Sequence, residues 1–424
     1  MTFDPNRRAF LTATALGLGC AVFAPLALSQ TQARIVIVGG GFGGASAART
    51  LKALLPNASI TLVESSAKYT ACPFSNLVIG GGRDLSQQEF GYDALSASGI
   101  TLINDRAIDV DPNAKTVSLS GETVLSYDKL VLSPGVDLRW GAIEGYSQDA
   151  ADILPHAWKA GAQTTLLRRQ LEALEDGETV IMTVPPAPYR CPPGPYERAS
   201  MIAHYLKAQK PRSKLIVLDA KDQFSKMALF QESWAEHYPD HLEWRGAIDD
   251  GRVSRVDPQA RSVSTDFEDH SGAVINVIPP QKAGMIAERA GVADATGWCP
   301  IDPLSFESRL QSDIHVIGDA TIAAPMPKSA FSANLQAKVC AFAIARTLSD
   351  LSPEPTVLAN TCYSYTTPDE AISIAGVYSN ADGQFQSIGG AGGISLLAAD
   401  KSVRAAEAAQ AAHWFDTITA EAFG

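Results

Sequence analysis

An α/β fold, with two βαβ domains on parallel sheets and a small α+β C-terminal domain, is predicted by three features of the sequence. A β-branched strand, Arg34-Ile35-Val36-Ile37-Val38, runs directly into a glycine loop and an alanine-rich helical stretch over 45–55. A second apolar strand, Thr179-Val180-Ile181-Met182-Thr183-Val184, opens another unit of the same kind. A late strand, Ile314-His315-Val316-Ile317, ends in Gly318-Asp319 and requires a far-downstream segment to complete the first domain. At 424 residues, 46% hydrophobic and 19% charged, the chain exceeds one ordinary core and is too apolar for disorder.

Residues 1–30 are set apart as a targeting segment. Asn6-Arg7-Arg8-Ala9-Phe10-Leu11 places an arginine pair ahead of an apolar run ending near Leu28, the pattern of a twin-arginine export signal. A membrane anchor is the alternative, but Thr12, Thr14, Gly17, Gly19 and Pro25 dilute and break the run. Small residues at Ala27-Leu28-Ser29 and Thr31-Gln32-Ala33 offer cleavage sites, while Gly17 disfavours a lipoprotein site at Cys20. The expected location is periplasmic, and a pathway that carries folded, cofactor-loaded proteins favours a redox role. Removing Arg7, Arg8 and Asp4 changes the net charge from -12 to -13, which argues against a nucleic-acid partner.

Six cysteines are present, and Cys72, Cys191, Cys299, Cys340 and Cys362 lie beyond the export segment. An odd set in an oxidising compartment leaves at least one unpaired or chemically used. No CxxC motif occurs and histidines number seven, so no metal site is expected.

The loop Gly39-Gly40-Gly41-Phe42-Gly43-Gly44 is a dinucleotide fingerprint. Gly39 permits the tight turn, Gly41 lets the backbone approach a pyrophosphate, and Gly44 allows close helix packing. The helix N-terminus favours phosphate. Glu64, at the end of the run Ile60-Thr61-Leu62-Val63, is placed to accept from the adenosine ribose hydroxyls. Two further segments favour FAD over NAD. Residues 127–135 read as a strand entering the small-residue turn Ser133-Pro134-Gly135, and Gly318-Asp319 supplies an aspartate for the ribityl chain. The FAD domain is therefore expected as two segments, 31–144 and 281–355.

Between them, 145–280 reads as a second Rossmann-like domain without a nicotinamide fingerprint. Its first strand runs into Pro185-Pro186-Ala187-Pro188-Tyr189-Arg190-Cys191-Pro192-Pro193-Gly194-Pro195. Prolines lack the N–H donors that cradle phosphate, and their fixed φ opposes the turn. The stiff loop positions Cys191, whose bland alternative is a small buried hydrophobe. Glu197, in a helix that begins with proline, is a candidate for proton exchange with a thiol, or else a solvated charge complementing the helix dipole. Residues 356–424 form the C-terminal domain, with strand signals over 371–378, a glycine-rich turn over 389–393 and a helix around Trp414.

Cys-Pro-Pro-Gly-Pro-Tyr-Glu-Arg-Ala-Ser at 191–200 resembles the flavoprotein subunit of flavocytochrome c sulfide dehydrogenase. So do His156-Ala157-Trp158-Lys159-Ala160-Gly161, Ile278-Pro279-Pro280-Gln281, Gly297-Trp298-Cys299-Pro300, Pro325-Met326-Pro327-Lys328-Ser329, Asn360-Thr361-Cys362-Tyr363-Ser364 and the terminal Phe423-Gly424. The resemblance covers essentially the whole mature chain and implies a glutathione-reductase-like fold. It further implies that Cys191 and Cys362 form a redox-active disulfide and that Cys72 bonds FAD through a thioether. Ala71, Pro73 and Phe74 depart from the family form around that cysteine. Glu197 matches a carboxylate near the disulfide, and Trp414 matches an aromatic over the flavin, with core packing as its alternative. Lys328 and Ser329 precede a helix over 334–341 whose N-terminus is placed to stabilise negative charge on the reduced flavin.

The implied activity is oxidation of hydrosulfide to zero-valent sulfur or polysulfide, with electrons passing to a cytochrome c subunit. The chain has no Cys-x-x-Cys-His motif, so haem c belongs to the partner. Alternatives are a sulfide:quinone oxidoreductase and a non-catalytic accessory flavoprotein of a periplasmic thiosulfate-oxidising system. The first requires an amphipathic C-terminal membrane patch. The stretch 405–412 is alanine-rich with Glu407 and Gln410 and lacks such faces, so no stable membrane insertion is expected.

Overall fold

The computed structural model describes residues 32–424; the segment 1–30 that the sequence predicts to be an export signal, and Cys20 within it, lie outside them. The N-terminal sheet has five parallel strands in the order Ile314–Val316, Lys129–Leu132, Arg34–Val38, Ser59–Val63 and Thr101–Ile103. Ile35, Ile37, Leu62, Leu130, Val131, Leu132, Ile314 and Val316 are all fully buried, as a parallel sheet covered on both faces demands. The downstream strand Ile314–Val316 completes this sheet at the edge of Lys129–Leu132. The helices Phe42–Leu54 and Ala330–Thr347 pack on each other, and the small residues Ala45, Ala48, Ala337 and Ala341 on them are buried. Asn334 Nδ2 donates to Ser46 Oγ across that contact at 2.8 Å.

A second parallel sheet has the order Leu242–Arg245, Lys214–Asp219, Thr179–Val184 and Val274–Val277. Its topology is that of a dinucleotide-binding domain, but its ligand end is filled by protein. Asp219, at the position where such domains present a ribose acceptor, is fully buried. Its carboxylate accepts from Tyr196 Oη at 2.6 Å, Trp244 Nε1 at 3.1 Å and Lys221 Nζ at 2.5 Å. Phe224 stacks on Tyr196 at 3.6 Å between centroids. The Asp219 carboxylate is thus committed to three protein donors at the end of the sheet where the proline loop lies.

The C-terminal region is an antiparallel hairpin, Val357–Thr367 with Glu370–Ser379, covered by the helix Lys401–Phe423. Its glycine-rich turn leads into the short strand Gly393–Ile394, which pairs with the second hairpin strand. The α/β class with a C-terminal α+β unit is therefore as the sequence predicts. Phe423, buried at the helix end, lies 5.3 Å from Tyr69 and Phe90 and 5.6 Å from Phe42 between ring centroids. The C-terminus is thus fastened to the glycine-loop helix, and the hairpin is pressed against both larger domains.

Candidate functional site

A cleft of about 670 Å³ opens at the carboxyl ends of the first sheet. Gly39, Gly41, Glu64, Cys72, Gly135, Gly318, Asp319 and Ser329 all line it. Gly39 has φ +97°, and a Cβ there would sit 2.3 Å from the Ser133 carbonyl oxygen. Gly44 lies behind the loop, where a Cβ would fall 1.7 Å from the Gly39 carbonyl oxygen, so any side chain would push the helix off the turn. The helix that follows presents first-turn N–H groups that it cannot itself satisfy. Glu64 accepts from Gly40 N at 2.7 Å and Ser66 N at 2.9 Å, which holds its carboxylate on the cleft wall.

FAD fits this cleft. Asp319 Oδ1 is buried and has no hydrogen-bond partner in the protein, an arrangement that costs free energy unless a ligand donor completes it. Burial raises the Asp319 carboxyl above its usual range, against the opposing pull of Arg190 and Lys328. Gly318 N donates to Gln336 Oε1 at 2.7 Å, which fixes the turn that presents Asp319.

A smaller, more apolar cavity adjoins the cleft and shares Cys72, Arg190, Ser329 and Ala330 with it. Cys191, Glu197, Cys362 and Trp414 converge on this second cavity from three parts of the fold. Cys191 is held with φ +55°, a left-handed conformation rare for a non-glycine residue. Its N–H donates to the Lys328 carbonyl at 2.8 Å, and its carbonyl accepts from Gly194 N at 2.8 Å. Cys362 lies on the first hairpin strand, and its sulfur accepts from Asn360 Nδ2 at 3.2 Å. Asn360 Oδ1 accepts in turn from Ser329 Oγ at 2.5 Å. Cys191 and Cys362 are both thiols in this structure, each partly open to the cavity.

Burial pushes both thiols up, but with unequal compensation. Cys191 is raised further by Cys362 and Glu197, against Arg190 and Lys226. For Cys362, the Asn360 hydrogen bond, Lys226 and the Ser329 hydroxyl work against burial. Glu197 is buried, and burial raises its carboxyl despite hydrogen bonds from Tyr365 N at 2.9 Å and Asn76 Nδ2 at 2.6 Å. It is therefore a shielded acid beside the cysteines, and the solvated alternative does not apply. Trp414 reaches the cavity with its Nε1 buried and unpartnered, 6.3 Å from the Tyr363 ring.

Lys328 requires a correction. Its ammonium lines neither cavity; it donates to the Asp319 and Thr321 carbonyls at 2.8 and 2.6 Å and lies 3.9 Å from the Trp298 ring centroid. A flexible side chain beside two free carbonyls satisfies them first, so Lys328 braces the Asp319 turn. Ser329 caps the Ala330–Thr347 helix by accepting from Ser332 N at 3.0 Å. Cys299 and Cys340 are buried in the core. Among the described residues, Asp250, Glu268 and His270 bring ligand atoms within 4.8 Å of one another. They line neither cavity, and the carboxylates already accept from Thr265 Oγ1 and Arg245.

Several site residues carried no sequence signal. Asn76 donates to Glu197 and accepts from Arg198 Nε at 3.1 Å, so its orientation is set by the buried Arg198. Arg198 in turn donates to the carbonyls of His156 and Ala157 and to Asn276 Oδ1. Arg190 was legible in hindsight as the cation next to Cys191; it donates to the Trp158 carbonyl and lies on the wall common to both cavities.

Family models match three stretches of the chain. Residues 164–279 match the family model for the central region of the sulfide dehydrogenase (flavocytochrome c) flavoprotein chain, and 354–423 match the flavocytochrome c sulphide dehydrogenase flavin-binding model. Residues 33–171 match the pyridine nucleotide-disulphide oxidoreductase model. The sulfide dehydrogenase flavoprotein chain of Chlorobaculum thiosulfatiphilum is 58% identical over 45 residues, which is 11% of this chain and 94% of that sequence. The mitochondrial sulfide:quinone oxidoreductase of Mus musculus is 22% identical over 345 residues, covering 76% of this chain and 74% of that one. In fold, the chain resembles the sulfide:quinone oxidoreductase of Aquifex aeolicus, with a TM-score of 0.72, 17% identity and 92% of each chain covered. Among the described residues, no helix is long and apolar enough to cross a membrane. With the glycine cleft and the cysteine cavity in one continuous site, the chain belongs to the flavocytochrome c sulfide dehydrogenase flavoprotein family, a sulfide-oxidising branch of the pyridine nucleotide-disulphide oxidoreductases.

Proposed function

We propose that this chain is the flavoprotein subunit of a periplasmic sulfide:cytochrome c oxidoreductase, exported by the twin-arginine route and carrying FAD bonded through Cys72. The observation that carries this reading is the convergence of Cys191, Cys362 and Glu197 on a cavity that shares Cys72 with the glycine cleft. Hydrosulfide enters that cavity and attacks the Cys191–Cys362 disulfide. The bond between the two cysteines breaks, a new sulfur–sulfur bond forms on one of them, and the electron pair leaves on the other as thiolate. Sulfide sulfur is thereby oxidised by two electrons and the cysteine pair reduced by two. Glu197, shielded and raised by burial, takes the hydrosulfide proton. Arg190, on the wall between the cavities, offers positive charge to the entering anion. Gly39, Gly41, Cys72 and Asp319 would hold FAD in the adjoining cleft, and FAD would supply a two-electron acceptor able to release electrons singly.

The absence of a Cys-x-x-Cys-His motif supports a haem c carried by a separate cytochrome subunit, and the zero-valent sulfur leaves free or as polysulfide. The similarity to sulfide:quinone oxidoreductases favours a second reading, delivery to a quinone at a membrane surface. Purification from the native periplasm under mild conditions separates the two. A cytochrome c that copurifies and shows its reduced haem bands on sulfide addition is the expected result. A protein that floats with lipid vesicles and reduces a soluble quinone without any cytochrome overturns it.

A further inference from the structure

Lys226 lines neither cavity and sits in an unremarkable polar stretch, Asp222-Gln223-Phe224-Ser225-Lys226. The structure nevertheless buries it, at 5% exposure. Its ammonium donates to the Cys362 carbonyl at 3.1 Å, Ser364 Oγ at 2.9 Å and the Ile372 carbonyl at 3.2 Å. These acceptors lie on both strands of the C-terminal hairpin, so one side chain of the central domain grips the strand pair that carries Cys362. All three partners are neutral, and among the described residues no carboxylate forms an ion pair with Lys226. A buried ammonium with no carboxylate in direct contact is costly to keep. Its backbone also adopts φ +62°, as the residue that begins the helix Met227–His237, and this adds local strain.

The charges around it explain what such a cation is for. Lys226 faces Cys362, Glu197 and Cys191, with Glu407 of the C-terminal helix further out. Cys362 itself is faced by Lys226, Glu197 and Cys191, by the Asn360 amide and Ser329 hydroxyl, and by the phenol of Tyr378 on the neighbouring strand. Of these, Lys226 is the cation. Burial lowers its ammonium to about 8, so it remains mostly charged at neutral pH.

We propose that Lys226 is a positioning residue for the sulfur chemistry, whose ammonium fixes the Cys362 strand to the central domain and stabilises Cys362 as the thiolate when the disulfide opens. The proposal rests on the reading of Cys191 and Cys362 as a redox pair. It assigns polarity to the cleavage: the incoming sulfur bonds to Cys191, and the electron pair of the broken bond stays on Cys362.

The test uses the full chain with its flavin, reduced by a phosphine and alkylated with iodoacetamide over a range of pH, the Cys191 and Cys362 peptides being followed separately by mass spectrometry. Lys226→Gln, which keeps a donor but loses the charge, and Lys226→Met should each raise the pH midpoint of Cys362 alkylation by about one unit or more, because removing a near cation withdraws that much stabilisation. The Cys191 midpoint should move less, and Lys226→Arg should stay near wild type. Folded, flavin-loaded Gln or Met variants with an unmoved Cys362 midpoint overturn the proposal, as does failure of the Gln variant to fold while the Arg variant shows a shifted midpoint. Alkylation needs no sulfide turnover, so a chain that proves inert to sulfide would sink the functional reading and leave this result interpretable.

Discussion

The Glu197 carboxylate accepts the backbone N–H of Tyr365 at 2.9 Å, so a single buried acid ties the helix behind Cys191 to the strand that carries Cys362. Two consequences follow from its burial. Burial raises the carboxyl, so the folded chain holds the Glu197 proton more tightly than the unfolded chain does. That stabilisation is complete below the ordinary carboxyl range and is lost as pH rises through the raised value. Glu197→Gln lacks this dependence, and its thermal midpoint should gain on wild type as pH goes from about 4 to about 8. Removing the proton acceptor should also slow flavin reduction by sulfide on the order of a hundredfold. Parallel stability curves for the two proteins would refute the assignment of a shielded acid.

Gly39→Ala should give a protein largely free of flavin. The new methyl would meet the Ser133 carbonyl oxygen at 2.3 Å in a backbone with φ +97°. Strain of this kind costs about 1 to 3 kcal/mol, and the turn that faces the phosphates must move to relieve it. The ratio of flavin to protein absorbance in the purified variant is the measurement, and an unchanged ratio would contradict the fit of FAD to this cleft.

Cys72 lies on the wall shared by both cavities, with its sulfur 3.9 Å from the Trp158 carbonyl oxygen. A thioether at this position predicts that acid-denatured protein keeps its flavin, with the added mass on the Cys72 peptide. Cys72→Ala should release the flavin on denaturation yet still bind it when folded. Complete release from the wild type would rule out the bond.

The aromatic cluster at the end of the last helix is a stability prediction without chemistry. Phe423 is 6% exposed and packs on Phe42, Tyr69 and Phe90. Phe423→Ala should cost about 3 kcal/mol in unfolding experiments. Because Tyr69 also lines the cleft, flavin retention should weaken in parallel. A loss below about 1 kcal/mol would mean that this contact fastens nothing.

What was legible in the sequence was local and repetitive. The strand at 34–38, its glycine loop and the acid at Glu64 lie within one βαβ unit, and side-chain periodicity reports such units directly. The missing second loop was equally readable, because eleven residues from Pro185 to Pro195 state it outright. The strand bearing Cys362 was harder. Its buried residues do not alternate with exposed ones, and a mixture of Asn, Thr, Ser and Tyr leaves no clean period of two. Lys226, Asn76 and Arg198 enter the site through contacts between distant segments, which no spacing encodes. Lys328 was read only as preceding a helix whose N-terminus faces the flavin, and only the fold shows its ammonium donating to the Asp319 and Thr321 carbonyls.

The central claim is that electrons reach the flavin through Cys191 and Cys362, and anaerobic titration with sulfide, followed by flavin absorbance, tests it most directly. Wild type should bleach on sulfide addition, whereas Cys191→Ser and Cys362→Ser should retain flavin and stay oxidised over the same range. Full bleaching in both variants would contradict the account.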